Sequence, residues 1–232
     1  ISMSPMPTPM KPILPAALCA LALASLAACT RSDEPNAKVL TAAMNSDLAQ
    51  RGDLCLAKTT WPIDVTQDEI DSGARNALQM PVLERLGLVA STVAEVDVAD
   101  DQGTKHHMKV RRFALTDAGR KYYVLRAAPK GAGASPTTGA TAVAAKGDFC
   151  AAKLSLDHIV KWDVRKPSGS TPRQAVVTYT YRIDAAPWTR DAEAQKVFPV
   201  VAGVVRGAGS AQLEETFSLT DAGWVSVDLQ GS

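Results

Sequence analysis

Apolar and polar positions divide the chain into recognisable stretches. Residues 12–28 (PILPAALCALALASLAA) form an uncharged apolar run between Lys11 and Arg31. The run is at the short limit for a membrane-spanning helix, and Pro12 and Pro15 weaken that reading. Leu40, Ala43, Met44 and Leu48 then recur at helical spacing over 37–50, and Gly52 supplies a stop. Residues 54–58 and 61–65 suit short strands. Thr66 and Glu69 match a capping box that opens a helix near Gln67. Pro81 is expected to break that pattern, leaving a second short helix over 81–86 that ends at Gly87. Residues 89–98 and 108–115 read as a hairpin, and the slip of apolar phase at Arg111-Arg112 predicts a bulge. A turn is expected at Asp117-Ala118-Gly119, and 121–126 continues as strand or short helix.

The second half is richer in strand signal. Residues 149–165 carry Ile159, Val160, Trp162 and Val164, and in 175–183 Val177, Tyr179, Tyr181 and Ile183 alternate with polar positions. Thr189 is the expected cap of a helix that Pro199 kinks, and 213–219 with 224–229 form a final hairpin. The order of strands and helices predicts an α+β protein with small antiparallel sheets and short helices.

Three words occur twice, in the same order. Arg51-Gly-Asp-Leu-Cys-Leu-Ala-Lys58 answers Lys146-Gly-Asp-Phe-Cys-Ala-Ala-Lys153, Met80-Pro-Val-Leu83 answers Phe198-Pro-Val-Val201, and Phe113-Ala-Leu-Thr-Asp-Ala-Gly119 answers Phe217-Ser-Leu-Thr-Asp-Ala-Gly223. This predicts an internal duplication: a first α+β module over 37–126 and a related second one over 147–232. Residues 127–146, rich in Gly, Ala, Thr and Pro, read as a flexible linker.

Leu26-Ala-Ala-Cys29 resembles the lipobox of bacterial lipoproteins, as do the single Lys11 before the apolar run and the run itself. The resemblance implies a signal peptide over 1–28, lipid on Cys29, and a short tether over 29–36. Thr30 replaces the Asp that usually marks inner-membrane retention in that family, which implies the periplasmic side of the outer membrane. The lipid is then the membrane partner, since acyl chains contribute about 0.8 kcal/mol per buried methylene. Cys19 leaves with the signal and Cys29 is acylated. Cys55 and Cys150 then remain in an oxidising compartment, where they are expected to pair.

Pro81-Val-Leu-Glu-Arg-Leu-Gly-Leu88 together with Phe113-Ala-Leu-Thr-Asp-Ala-Gly-Arg120 is similar to the helix, wing and closing words of small winged-helix modules. The second half departs from that pattern. Residues 177–188 with 217–224 also resemble uncharacterised proteobacterial lipoproteins, a family that implies a compartment and no activity.

Charge and chemistry narrow the function by exclusion. Lys and Arg number 25 against 24 Asp and Glu, and loss of Lys11 with the signal evens the balance, so no nucleic-acid partner is expected. Residues 105–112 are the densest basic run. Alternation puts His107, Lys109 and Arg111 on one strand face, either simply solvated or a docking patch for an anion or an acidic partner. No serine, zinc-protease or acyl-enzyme motif occurs, and neither a metal site nor a cofactor is expected. Asp53 and Asp148 are candidate carboxylates for a hydrolase, but their repetition after glycine favours turn residues bonded to backbone N–H groups. The four tryptophans, Trp61, Trp162, Trp188 and Trp224, suit packing better than a sugar platform. The expectation is a non-catalytic binding or scaffolding lipoprotein with a periplasmic protein partner. The alternatives are an immunity or self-protection lipoprotein and an envelope hydrolase.

Overall fold

The computed structural model describes residues 34–99, 105–125 and 147–230. The expected signal over 1–28, Cys29, most of the expected tether and the expected linker over 127–146 lie outside the described residues. No helix among the described residues is long and apolar enough to cross a membrane.

Helix α1 (Ala37–Arg51) starts where Asn36 accepts a bond from the Val39 amide, and it buries Leu40, Met44 and Leu48 as their spacing predicts. Strands β1 (Asp53–Cys55) and β2 (Ile63–Thr66) follow. The expected capping box forms at Thr66 and Glu69 and opens α2 (Gln67–Asp71).

The expected break at Pro81 does not occur, because α3 (Arg75–Arg85) runs through it. Proline removes one amide from the ladder, and the flanking Met80 and Leu83, both fully buried, hold the helix against the core. Gly87, at φ +73°, ends it, with its own amide and that of Leu88 bonded back to Glu84 and Leu83.

Strands β3 (Val89–Ala99) and β4 (Lys105–Leu115) pair without interruption, so the bulge expected at Arg111-Arg112 is absent. The apolar phase slips for another reason. Arg111, on the core-facing side, lays its guanidinium over the Phe113 ring at 5.0 Å, and Arg112, on the other face, pairs with Asp64 of β2 through two 2.7 Å bonds. Both side chains carry charge over a covered surface without bending the strand.

A single-turn helix α4 (Asp117–Arg120), capped by Thr116, stands where a turn was expected, and β5 (Tyr123–Leu125) follows. The second half opens with the long hairpin of β6 (Gly147–Arg165) and β7 (Gln174–Ala185). The expected cap at Thr189 is displaced. Thr189 lies in a short 3-10 turn with its hydroxyl bonded to the Ala186 carbonyl, and Asp191 caps α5 (Ala192–Val197) by accepting from two amides. The chain then breaks at Phe198 instead of kinking, and Pro199 opens α6 (Pro199–Gly207) at a position that needs no amide donor. Strands β8 (Gln212–Thr220) and β9 (Gly223–Ser226) form the expected hairpin, but 227–229, expected to continue the second strand, is a 3-10 turn.

The architecture is mixed, with antiparallel sheets and few helices. A three-stranded sheet runs β2-β4-β3, and a six-stranded sheet runs β1-β6-β7-β8-β9 with β5 also on β6. Its strands do not divide at the expected module boundary: β1 and β5, from the first half, border the second half's β6. Leu56 donates to the Phe149 carbonyl while the Cys150 amide donates to Tyr122, so β1 and β5 flank β6 on opposite sides.

Two apolar clusters fill the interior. One joins Met80, Leu83 and Phe113 of the first half to Phe149, Trp188 and Phe198 of the second. The other lies under α1, where Leu40, Met44 and Leu48 meet Val177, Tyr179, Tyr181 and Phe217.

Candidate binding surface around the disulfide

The first repeated word is also a meeting point. Antiparallel pairing of β1 with β6 sets Asp53 against Lys153 and Cys55 against Cys150, so the two Gly-Asp-x-Cys words meet at their cysteines. Cys55 and Cys150 form the expected disulfide, with Cα atoms 3.8 Å apart.

The glycines explain part of the repetition. A Cβ on Gly52 would collide with the carbonyl oxygens of Leu48 and Leu154, and one on Gly147 with the Tyr123 ring. At both sites another chain segment passes too close for a side chain.

The aspartates have separate partners. Both lie in strands and not in the expected turns: Asp148 accepts the backbone amide of Lys58, 90 residues away, at 2.7 Å, whereas Asp53 pairs with the Lys153 ammonium at 3.4 Å. Lys58 itself, the last residue of the first word, is 5 % exposed and donates to Asn76. Burial is the main cause that lowers its pKa, followed by the nearby Arg75. Nothing in the repeated pattern marks this burial, since the matching Lys153 is exposed.

Beside the disulfide, an open groove of about 340 Å³ runs between β5 and the end of β7, lined by Asp53, Lys121, Tyr122, Lys153, Asp184 and Pro187. Its floor is the small-residue stretch Cys150-Ala151-Ala152. Lys153 lies opposite Asp53 on one neighbouring strand and Asp184 on the other. Charges of both signs over an apolar floor suit a polar, extended ligand such as a peptide segment.

The basic residues of β4 do share a face, and acids meet them there. His107 bonds Asp97, Arg111 bonds Glu84 and Ser91, and Lys109 stands opposite Glu95 in the register. The Ser91 hydroxyl, its largest influence, and Arg111 hold the Glu84 carboxyl below its ordinary pKa. A patch of this composition offers an anion little unbalanced charge.

A second polar cluster, which the periodicity did not reveal, lies beneath the end of α1. Arg51 donates to Asp47 at 3.3 Å, to the Ser226 hydroxyl at 3.0 Å and to Asp228 at 2.8 Å, and Ser226 donates to Glu215 at 2.6 Å. Burial raises the pKa of Asp47 and of Glu215, and it pushes the Tyr179 phenol, beside them, up to about 12. Asp47 falls on the buried side of the helix between Met44 and Leu48, and only the partner strands explain a carboxylate there.

Among the described residues, no group of three or more His, Cys, Asp or Glu side chains is placed to hold a metal. His158 bonds the adjacent Asp157 and Thr180. Trp61, Trp188 and Trp224 pack into the two cores, while Trp162 is 37 % exposed on β6. Compared with protein families, curated proteins and solved structures, the chain matches none.

Proposed function

We propose that the chain is a lipoprotein anchored through Cys29 to the periplasmic side of the outer membrane, with a non-catalytic binding or scaffolding role. The observation that carries this reading is the Cys55–Cys150 disulfide, which locks β1 to β6 beside the groove. Such bonds persist in an oxidising compartment, the address that Leu26-Ala-Ala-Cys29 implies. The groove is the binding surface in this reading, and its partner is a segment of a periplasmic protein. The separate partners of Asp53 and Asp148 favour binding over hydrolysis by an acidic pair.

The duplication belongs to the same proposal. Its first word falls on β1 and β6, its second on α3 and α6, and its third on the ends of β4 and β8. Strand order β2-β4-β3 with α2 and α3 between β2 and β3 supports a winged-helix-like first half. Its wing residues pair with acids, which fits a scaffold that does not contact DNA.

Labelling with radioactive palmitate in a bacterial host tests the address. The full chain is expected to incorporate label and to fractionate with outer membranes, and Cys29→Ala to lose both. Unlabelled protein in the cytoplasm with reduced thiols refutes it. A photo-crosslinker at Lys121 or Tyr122 is expected to capture a periplasmic protein. Equal capture from the solvated Lys38 of α1 argues against the groove.

A further inference from the structure

Beyond Leu154, the outer edge of β6 carries no partner strand among the described residues, since β1 covers only 150–153 and β7 occupies the other side. An edge of this kind presents backbone donors and acceptors ready to take a strand. Its apolar side chains are open: Val160, Trp162 and Val164 are 41, 37 and 41 % exposed. Trp162 and Val164 lie on the face of Val177 and Ala175, their register partners, and Lys161 and Asp163 on the opposite face. We propose that this edge is the interface with a second copy of the chain, β6 against β6, antiparallel, about a two-fold axis at Trp162.

The register follows from symmetry and charge. When two identical strands join about an axis normal to the sheet, a residue at the axis must face its own counterpart. Neighbouring pairs in an antiparallel ladder alternate in kind, so an axis between two pairs would equate unlike pairs. The possible registers therefore step one residue at a time.

Centred on Lys161 the pairing opposes two ammonium groups. Centred on Asp163 it opposes two carboxylates and sets Lys161 against the partner's Arg165. Centred on Val164 it runs off the strand, which ends at Arg165. Centred on Trp162 it sets Lys161 against the partner's Asp163 and Asp163 against the partner's Lys161. The two tryptophans then stack at the axis. Opposite charges and large apolar side chains directly across a ladder are the pairs that stabilise sheets.

Register shifts between Leu156 and His158 and between Ile159 and Lys161 interrupt the ladder toward the N-terminal side. They confine the pairing to a short stretch, and the two-fold closes it at two chains. The proposal is independent of the lipid address and of the groove.

The test uses the full chain extracted in mild detergent. Native mass is expected to correspond to two chains. Lys161→Asp and Asp163→Lys are each expected to weaken self-association about tenfold or more, by turning both attractive pairs repulsive, and the double reversal to restore it. Both side chains are exposed, so the unfolding midpoints should stay close to the parent's. Trp162→Cys is expected to form a disulfide-linked dimer, and Val164→Cys alone is not, because its counterpart lies four residues away in the register. A one-chain mass for the parent, a dimer indifferent to both single reversals, or a Trp162→Cys link to any other protein or to another segment of the same chain overturns the proposal.

Discussion

Gly52 shows how much a single residue position can require. Its Cα passes between the Leu48 carbonyl of α1 and the Leu154 carbonyl of β6, and its own carbonyl accepts the Leu154 amide at 2.7 Å. Gly52→Ala is expected to cost about 1–3 kcal/mol by overpacking, read as a lower urea midpoint with an unchanged slope. The recurrence of Gly-Asp before each cysteine was legible, but the crowding that demands glycine comes in part from Leu154 of β6, about a hundred residues away. Titration also acts at this scale. Asp47 and Glu215 have raised pKa values, so the folded chain holds protons that the unfolded chain has released. Their contribution to stability therefore falls as pH rises above the ordinary carboxyl range of about 4. Asp64 and Glu84 have lowered values, and theirs is lost as pH falls through that range. Glu215→Gln is expected to flatten the high-pH limb of a stability profile and leave the acid limb in place. Parallel profiles for variant and parent count against this account.

The repeated words show at the level of elements why local patterns read some features and miss others. Met80-Pro81 and Phe198-Pro199 are alike in sequence, yet Pro81 sits inside a helix and Pro199 begins one. Packing of Met80 and Leu83 decides the first outcome, and the break at Phe198 decides the second. Strong local signals survived: the capping box at Thr66, the spacing of Leu40, Met44 and Leu48, and the alternation in β7 all appear. Thr66→Ala is expected to cost about 1 kcal/mol, since it removes the bond to the Glu69 amide. Leu40→Ala, at a fully buried position under α1, is expected to cost about 2–5 kcal/mol. Equal losses in the two variants, measured by denaturant unfolding, contradict the dominance of packing over capping in holding these helices.

On the scale of the whole molecule, the strands and cores bind the two halves together. The larger sheet takes β1 and β5 from the first half, and the core around Phe149 and Trp188 takes α3 and β4. Unfolding is therefore expected as one transition, with tryptophan fluorescence and far-ultraviolet circular dichroism giving the same midpoint. Separate midpoints contradict the shared core. The repeated words were legible because they are local, whereas the shared sheet was not, because strand partners far apart in the chain leave no local pattern. Of the groove, only Asp53 and the cysteines stood out in the sequence, and Lys121, Tyr122 and Asp184 join them through pairing around β6. Replacing both cysteines of the disulfide by serine is expected to cost about 2–4 kcal/mol while leaving a single transition.

The disulfide also fixes the route by which the molecule carries tension. A pull applied between α1 and the last strand travels along the backbone to Cys55 and crosses directly to Cys150. The 95-residue span between them, which holds the three-stranded sheet and α3, hangs outside the load path. In a force-extension experiment, reduction should add about 330 Å of released contour length, 95 residues at roughly 3.5 Å each. Oxidised, the span between the two cysteines is mechanically shielded, and the strain falls on α1 and the hairpins of the larger sheet.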